Sequence, residues 1–152
     1  CMPDGSLGES HRTETHLIPL AIAAALGKRP PLSLFGTDYE TRDGTCIRDY
    51  IHVLDLADAH VRALNQLLGG ATGNSYNVGT GVGTTVKEVL AAISRTLGVE
   101  VPHIVADRRE GDPPALFARA DTIQAELGWS PQWTDIDSIV GTAAQWAKAP
   151  RF

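Results

Sequence analysis

The chain has 152 residues, of which 43% are hydrophobic and 20% are charged, and its formal net charge at pH 7 is −5. This length and composition are typical of a globular domain with a hydrophobic core. The acidic balance argues against binding to nucleic acid or to an anionic membrane, because both need a broad basic face. No apolar run approaches the length of a membrane-spanning helix.

Two cysteines, Cys1 and Cys46, have no CxxC spacing. We therefore predict reduced thiols in a cytoplasmic protein, with no zinc site built on them. The sequence opens Cys-Met-Pro-Asp-Gly, and we expect it to be a piece of a longer chain.

In chain order, the first half predicts a helix, two strands and a second helix. Apolar periodicity starts the first helix near Thr15, and Gly27 with two following prolines ends it. The segments "LSLFG" and "IRDYIHV" are typical of strands, with a polar loop between them. Asp55 is predicted to be the N-cap of an amphipathic helix that ends at Leu68.

The second half continues the alternation of strands and helices. The segment "SYNV" (75–78) predicts a strand, followed by a glycine turn and by a helix with a Thr-x-x-Glu capping box at Thr85. "VPHIVAD" predicts another strand, and short helices are expected over 121–127 and 136–146. The predicted fold class is α/β.

The glycine turn, "NVGTGVGTT", raises the question of a dinucleotide site. Backbone amides at a helix N-terminus bind phosphate. However, the spacing is Gly79-x-Gly81-x-Gly83, and Thr84 stands where the last glycine of GxGxxG belongs. We interpret the segment as a tight turn before a helix.

Sequence patterns typical of a metal site or of a catalytic nucleophile are weak in this chain. His52, Asp55, Asp58 and His60 cluster in sequence, but their spacing does not place two histidines on one helical face, and the aspartates suit capping. No Gly-x-Ser-x-Gly motif is present. We therefore assign no metal ligand and no catalytic nucleophile.

Two loops carry arginine beside aspartate: Arg48-Asp49-Tyr50, and Arg108-Arg109-Glu110-Gly111-Asp112. Guanidinium groups from separate loops could clamp a diphosphate, and a carboxylate could accept hydrogen bonds from ribose hydroxyls. The alternative is surface ion pairing of Arg48 with Asp49 and of Arg109 with Asp112. Both explanations stay open on the residues alone.

The amino-acid sequences of three segments favour diphosphate binding over surface ion pairing. "FGTDYETRDGTCIRDYIHVLDLADAH", "YNVGTGVGTTVKEV" and "RREGDPPAL" resemble the C-terminal half of the UDP-glucose 4-epimerase family, in the extended short-chain dehydrogenase/reductase superfamily. The resemblance implies an N-terminal Rossmann domain that holds NAD and a C-terminal domain that holds the UDP-sugar. It also implies interconversion of UDP-glucose and UDP-galactose through a 4-keto intermediate.

The resemblance also implies site residues. Arg48 and Arg109 would bind the diphosphate and Asp112 the ribose hydroxyls. His16 stands where many members have asparagine, and Leu116 stands where some have tyrosine, so tolerance of N-acetylated sugars is a hypothesis. The further candidates are Phe35, which would line the uracil pocket, with Tyr50, Val86 and Leu17 near the nucleotide.

The family's N-terminal glycine motif and its Tyr-x-x-x-Lys find no counterpart here. We therefore expect residues 1–152 to be the UDP-sugar-binding half, inactive alone, with NAD bound by a separate N-terminal domain. Residues 55–80 would match the last helix and strand of the Rossmann sheet. Without that sheet we expect an exposed apolar patch around Leu64 and Leu68, and a homodimer or swapped oligomer. The alternatives are a non-catalytic UDP-sugar-binding module, and part of another nucleotide-sugar dehydratase or decarboxylase.

Overall fold

The computed structural model describes residues 1–150 and has an α/β fold, as predicted. Five helices and five short strands occur in these residues. They are α1 (Leu17–Ala25), β1 (Leu32–Phe35), β2 (Ile47–Asp49), α2 (Val53–Leu68), β3 (Gly83–Thr85), α3 (Val86–Leu97), β4 (His103–Ala106), β5 (Ala115–Leu116), α4 (Asp121–Leu127) and α5 (Ile136–Lys148).

The strands form two small sheets. β1 and β4 pair in parallel, with Phe35 opposite Ala106. In the second sheet β2 is central, antiparallel to β3 and parallel to β5. The loop after β4 therefore runs from one sheet to the other, which brings its residues to the ends of both β1 and β2.

The larger hydrophobic core joins α1, α3 and α5 with β1. Its apolar side chains follow the helical periodicity seen in the sequence. The capping box predicted at the start of α3 is confirmed: Thr85 Oγ1 accepts from the backbone of Glu88, and the Glu88 carboxylate accepts from the backbone of Thr85. The buried members are Ala21, Ile22, Leu32, Val89, Leu90, Ala92, Ile93, Val101, Val140 and Ala144.

A smaller core lies between α2 and α4. Ala59, Ala120, Ile123 and Trp129 form its buried part. The indole Nε1 of Trp129 donates to the backbone oxygen of Asp55 at 2.9 Å.

The start of α2 corrects the prediction for Asp55. The N-cap is His52, whose Nδ1 accepts from the backbone of Leu54. Asp55 lies inside the first turn and is buried, and its carboxylate accepts from the backbone N–H groups of Gln132 and Trp133, each at 2.9 Å. A residue that looks like a local cap therefore holds a segment more than seventy positions away.

The strand predicted over 75–78 is not formed. A strand needs a neighbour to complete its hydrogen-bond ladder, and no strand lies beside this segment within residues 1–150. Tyr76 and Val78 instead pack against the smaller core, and the Tyr76 hydroxyl donates to Glu126 at 2.8 Å.

Across residues 1–150, no helix combines the length and the apolar character that crossing a membrane requires. Cys1 and Cys46 are both free thiols.

Candidate functional site

Arg48 lies in the middle of β2, the central strand of the second sheet. Its Nη1 donates to the backbone oxygens of Ile47 at 2.6 Å and Pro113 at 3.0 Å. Its Nη2 forms an ion pair with Asp112. Three of the five guanidinium donors are thus used, which leaves Nε and one Nη2 proton for another acceptor.

Asp112 stands at the end of a tight turn that begins at Arg109. The backbone N–H of Asp112 donates to the Arg109 oxygen at 3.3 Å, and Gly111 has φ +76°. Glycine suits this position because the third residue of such a turn needs positive φ. The turn keeps Arg109 and Asp112 near each other, and Asp112 in turn contacts Arg48.

Arg109 folds back over β1. Its guanidinium carbon lies 4.0 Å from the centroid of the Phe35 ring, a cation–π arrangement. Within residues 1–150 Arg109 forms no ion pair. Its neighbour Arg108 differs, since it pairs with Asp38 at 2.7 Å and lies over the Tyr39 ring. The two adjacent arginines therefore have different surroundings, and only Arg109 keeps its donors free.

The pKa of the buried Cys46 thiol is affected by the same charged residues. Burial raises its pKa; Asp112 raises it further, and the positive charges of Arg48 and Arg109 act in the opposite direction. Three of the charged groups of the two loops, those of Arg48, Arg109 and Asp112, thus act on one thiol. We call Arg48, Arg109, Asp112 and Phe35 the arginine site.

The acid of the Arg48-Asp49 pair has a different role. Its carboxylate accepts from the backbone N–H groups of Thr80 and Gly81, both at 3.0 Å, and of Ala118 at 3.2 Å. A Cβ on Gly79 would lie 2.4 Å from Asp49 Oδ2, so only glycine fits there. The ion pairs considered from sequence, Arg48 with Asp49 and Arg109 with Asp112, do not form; the pair that forms is Arg48 with Asp112.

A second group of candidates lines an open cavity of about 1070 Å³ between the N-terminal loop, α1, α2 and α5. His16, Leu17 and Tyr50 lie on its wall. Burial raises the pKa of Tyr50 to about 12, so the phenol is neutral at physiological pH. The cavity is mainly apolar in its lining and suits a ring or a hydrocarbon surface better than a phosphate.

The remaining two candidates flank the arginine site. Val86 is the first residue of α3, packs against the larger core, and donates its backbone N–H to the oxygen of Cys46 at 3.2 Å. Leu116 lies opposite Arg48 in the β2–β5 register and is exposed.

Sequence reasoning missed two features of the site. The sequence predicts Cys46 only as a reduced thiol, because an isolated cysteine belongs to no motif, although it lies two residues before Arg48. Asp49 was read only as a partner of Arg48. The signal that could have identified its role is the glycine turn itself, since closely spaced glycines also occur where another group approaches the backbone.

Comparison with known proteins identifies a family for the chain. The model of the NAD dependent epimerase/dehydratase family matches residues 4–79, half of the chain. The chain belongs to this family.

Individual relatives are similar over nearly the whole chain. A UDP-glucose 4-epimerase of Rhizobium leguminosarum bv. trifolii is 54% identical over 143 residues, which cover 94% of this chain and 43% of the relative. The structure of UDP-glucose 4-epimerase from Brucella ovis in complex with NAD superposes with a TM-score of 0.91 at 48% identity, covering 96% of this chain and 45% of that one. For the Bifidobacterium longum enzyme in complex with NAD⁺ and UDP the TM-score is 0.86 at 34% identity, with 97% and 44% covered.

This chain therefore spans less than half the length of those relatives.

Its one glycine-rich turn does not fit the pyrophosphate of the family's NAD. The amides of Thr80 and Gly81 that would hold a phosphate already donate to Asp49, and that carboxylate would repel a phosphate. Residues 1–150 supply arginine donors, which suit an anionic group, and a separate apolar cavity, which suits a ring or a hydrocarbon surface.

Proposed function

We propose that this chain is the UDP-sugar-binding part of a UDP-glucose 4-epimerase. The intact enzyme would interconvert UDP-glucose and UDP-galactose through a 4-keto intermediate, with NAD bound by an N-terminal domain. The family match and the 54% identity to a UDP-glucose 4-epimerase support this proposal. The observation that carries it is the contact between the two arginine-containing loops: Asp112, at the end of the turn that begins at Arg109, forms an ion pair with Arg48.

In this proposal Arg48 and Arg109 bind the diphosphate together. The turn from Arg109 to Asp112 links them, because Asp112 contacts Arg48 while Arg109 keeps its donors free. A guanidinium offers parallel N–H donors that match phosphate oxygens. Arg48 would contribute the Nε and Nη2 protons that its other contacts leave available. Arg109, which forms no ion pair within residues 1–150, would contribute its positive charge as well.

The other candidates would surround the rest of the ligand. Asp112 accepts hydrogen bonds, as ribose hydroxyls require, and the Phe35 ring can contact the uracil beside Arg109. Val86 would border the same nucleotide pocket. His16, Leu17 and Tyr50 lie on the cavity wall and would approach the nucleotide from the α1 side.

Hydride transfer would belong to the N-terminal half, which supplies NAD and the acid/base residues in this proposal. The surface for packing on that half would be the exposed apolar side of α2, with Val61, Leu64 and Leu68 at helical spacing. We therefore expect the chain alone to bind UDP and to be catalytically inactive.

Calorimetric titration of the full chain with UDP tests the proposal. Arg109→Ala should weaken UDP binding by ~1.5–3 kcal/mol, because a hydrogen bond to a charged group contributes about this much. Uridine, which lacks phosphate, should bind the wild type and the variant equally. The matched control is Arg119→Ala, which removes an exposed arginine paired with Asp121 and should leave UDP binding unchanged.

Three outcomes would contradict the proposal. One is an equal loss of UDP and uridine affinity in Arg109→Ala, which would mean that the arginine does not contact phosphate. The second is an equal loss in Arg119→Ala, which would indicate a general charge effect. The third is NAD binding by this chain alone, which would contradict the division of labour between the halves.

The proposal also extends to the sugar. Leucine at position 116 is shorter than tyrosine and has no hydroxyl, so the intact enzyme should turn over both UDP-galactose and UDP-N-acetylgalactosamine. Leu116→Tyr should lower turnover of the N-acetylated sugar selectively. Rejection of that sugar by the unmodified enzyme would rule out a widened pocket.

A non-catalytic binding module and a nucleotide-sugar dehydratase or decarboxylase would share UDP binding. The DNA immediately upstream of the Cys1 codon separates the module from the epimerase, because a continuous reading frame for a Rossmann half supports the enzyme. Product analysis of the intact protein separates the two enzymes, since an epimerase returns a hexose with every atom retained.

A further inference from the structure

Four metal-ligating side chains converge in the N-terminal loop: Glu9, His11, Glu14 and His16, here called the Glu9–His16 cluster. One ligand atom from each lies within 4.8 Å of all the others. Glu9 Oε1 lies 2.6 Å from His11 Nε2 and 3.3 Å from His16 Nδ1, and His16 Nδ1 lies 2.8 Å from Glu14 Oε1. The cluster shares only His16 with the proposed UDP-sugar site.

The two halves of the cluster are held by different parts of the fold. The backbone oxygen of Glu9 accepts from Trp146 Nε1 of α5 at 2.9 Å. Gly8 lies flat on the same indole, since a Cβ there would come within 2.1 Å of the ring. The loop is therefore fixed on α5 at Glu9.

The other half is fixed at the start of α1. Glu14 Oε1 accepts from the backbone N–H groups of Thr15 and His16, both at 2.7 Å. His16 is itself the residue that precedes α1. Ligands anchored on separate elements lose little conformational freedom when a metal binds, which raises affinity.

We propose that the Glu9–His16 cluster binds one divalent transition-metal ion, with Zn²⁺ as the best fit. Imidazole nitrogen and carboxylate oxygen are ligands that Zn²⁺ prefers. Around a tetrahedral Zn²⁺ the ligand atoms lie about 3.3 Å apart, given bond lengths of about 2.0 Å. The distances of 2.6, 2.8 and 3.3 Å within the cluster are close to this value, and the other pairs, which lie within 4.8 Å, can close by rotation of exposed side chains. The two carboxylates, those of Glu9 and Glu14, also balance the charge of the ion. The alternative explanation for this cluster is a set of surface ion pairs between these carboxylates and the histidines.

Metal binding by the full chain, prepared without a histidine tag and freed of metal by chelator, tests the proposal. Competition between the protein and a chromophoric chelator for Zn²⁺ should give one tightly bound ion per chain. Co²⁺ in its place should show the intense visible absorption of tetrahedral coordination. His11→Gln and Glu14→Gln should each weaken Zn²⁺ binding by at least about tenfold, the lower end of the loss caused by removing a residue that only supports a ligand.

The controls separate this site from other donors. His60→Gln removes an exposed histidine outside the cluster, and Cys1→Ser removes a thiol near the start of the loop; both should keep wild-type affinity. Circular dichroism should show that all variants remain folded. An absence of stoichiometric Zn²⁺ binding, unchanged affinity in His11→Gln, or loss of binding in either control would each overturn the proposal. His11 and Glu14 lie outside the UDP-sugar site, so UDP titration of the same variants distinguishes failure of this proposal from failure of the functional one.

Discussion

The two halves of the molecule bury their helices differently. On one side α1, α3 and α5 enclose a core in which Val89, Ala92 and Ile93 are completely buried. On the other side α2, the longest helix of residues 1–150, fully buries only Asp55 and Ala59. The side of α2 turned away from α4 exposes apolar side chains, namely Val53, Val61, Leu64, Leu67 and Leu68.

This difference indicates which helices bury their apolar faces within the chain and which helix does not. Helices are stabilised in proteins mainly by packing of an apolar face. The larger core satisfies that requirement within the chain, whereas the apolar stripe of α2 is left without a neighbour among the described residues. A stripe of this kind is typical of a surface that packs against another domain or chain.

The largest expected effect is a difference in the free energy of unfolding between two truncations to alanine, one in each half of the molecule. Ile93→Ala should lower the free energy of unfolding by about 2–5 kcal/mol, because it leaves a cavity in a closed core. Leu68→Ala should change it by less than about 0.5 kcal/mol, since Leu68 is 77% exposed. Urea unfolding followed by circular dichroism measures both. Equal losses would mean that α2 is packed as tightly as the larger core.

A smaller effect is expected where α2 is tied to the segment after α4. Asp55→Ala removes the acceptor of two backbone N–H groups, those of Gln132 and Trp133, and should destabilise the fold by about 1.5–3 kcal/mol. Asp58→Ala on the same helix breaks only an exposed pair with Arg62 and should cost less than about 1 kcal/mol. The same urea titration decides between them. If Asp58 proved the more important residue, α2 would be held by its surface and not by the buried carboxylate.

Local signals explain how much of the fold was predictable. The capping box at Thr85 and the short helix expected over 121–127 depend on signals within a few residues, and both predictions are confirmed. Asp55 is where local reasoning failed, because aspartate is a favoured N-cap while its real partners lie at 132 and 133. The strand predicted over 75–78 failed for a related reason, since strand formation depends on a neighbour that no local pattern supplies.

The site was predictable by residue type and less so by pairing. Loops with arginine and aspartate pointed to anion binding, but the contact of Arg48 with Asp112 spans 64 positions. The choice between Arg108 and Arg109 came from family resemblance. The structure separates them physically, because Asp38 pairs with Arg108 alone. Roles set by distant partners need the fold, whereas roles set by chemistry can be read in the sequence.

The smallest effect expected is weak self-association through the apolar stripe of α2. In sedimentation equilibrium the average mass should rise above the 16.2 kDa of one chain as concentration increases, because pairing two stripes removes apolar surface from water. Leu64→Lys combined with Leu68→Lys should restore the monomer without lowering the unfolding free energy, since both side chains are exposed. The matched control is Ile104→Lys, which places a charge at an exposed apolar position on β4 and should leave association intact. A monomer at every concentration would show that the stripe alone is too small to hold a second copy, and an effect of Ile104→Lys would move the contact to the β1–β4 sheet.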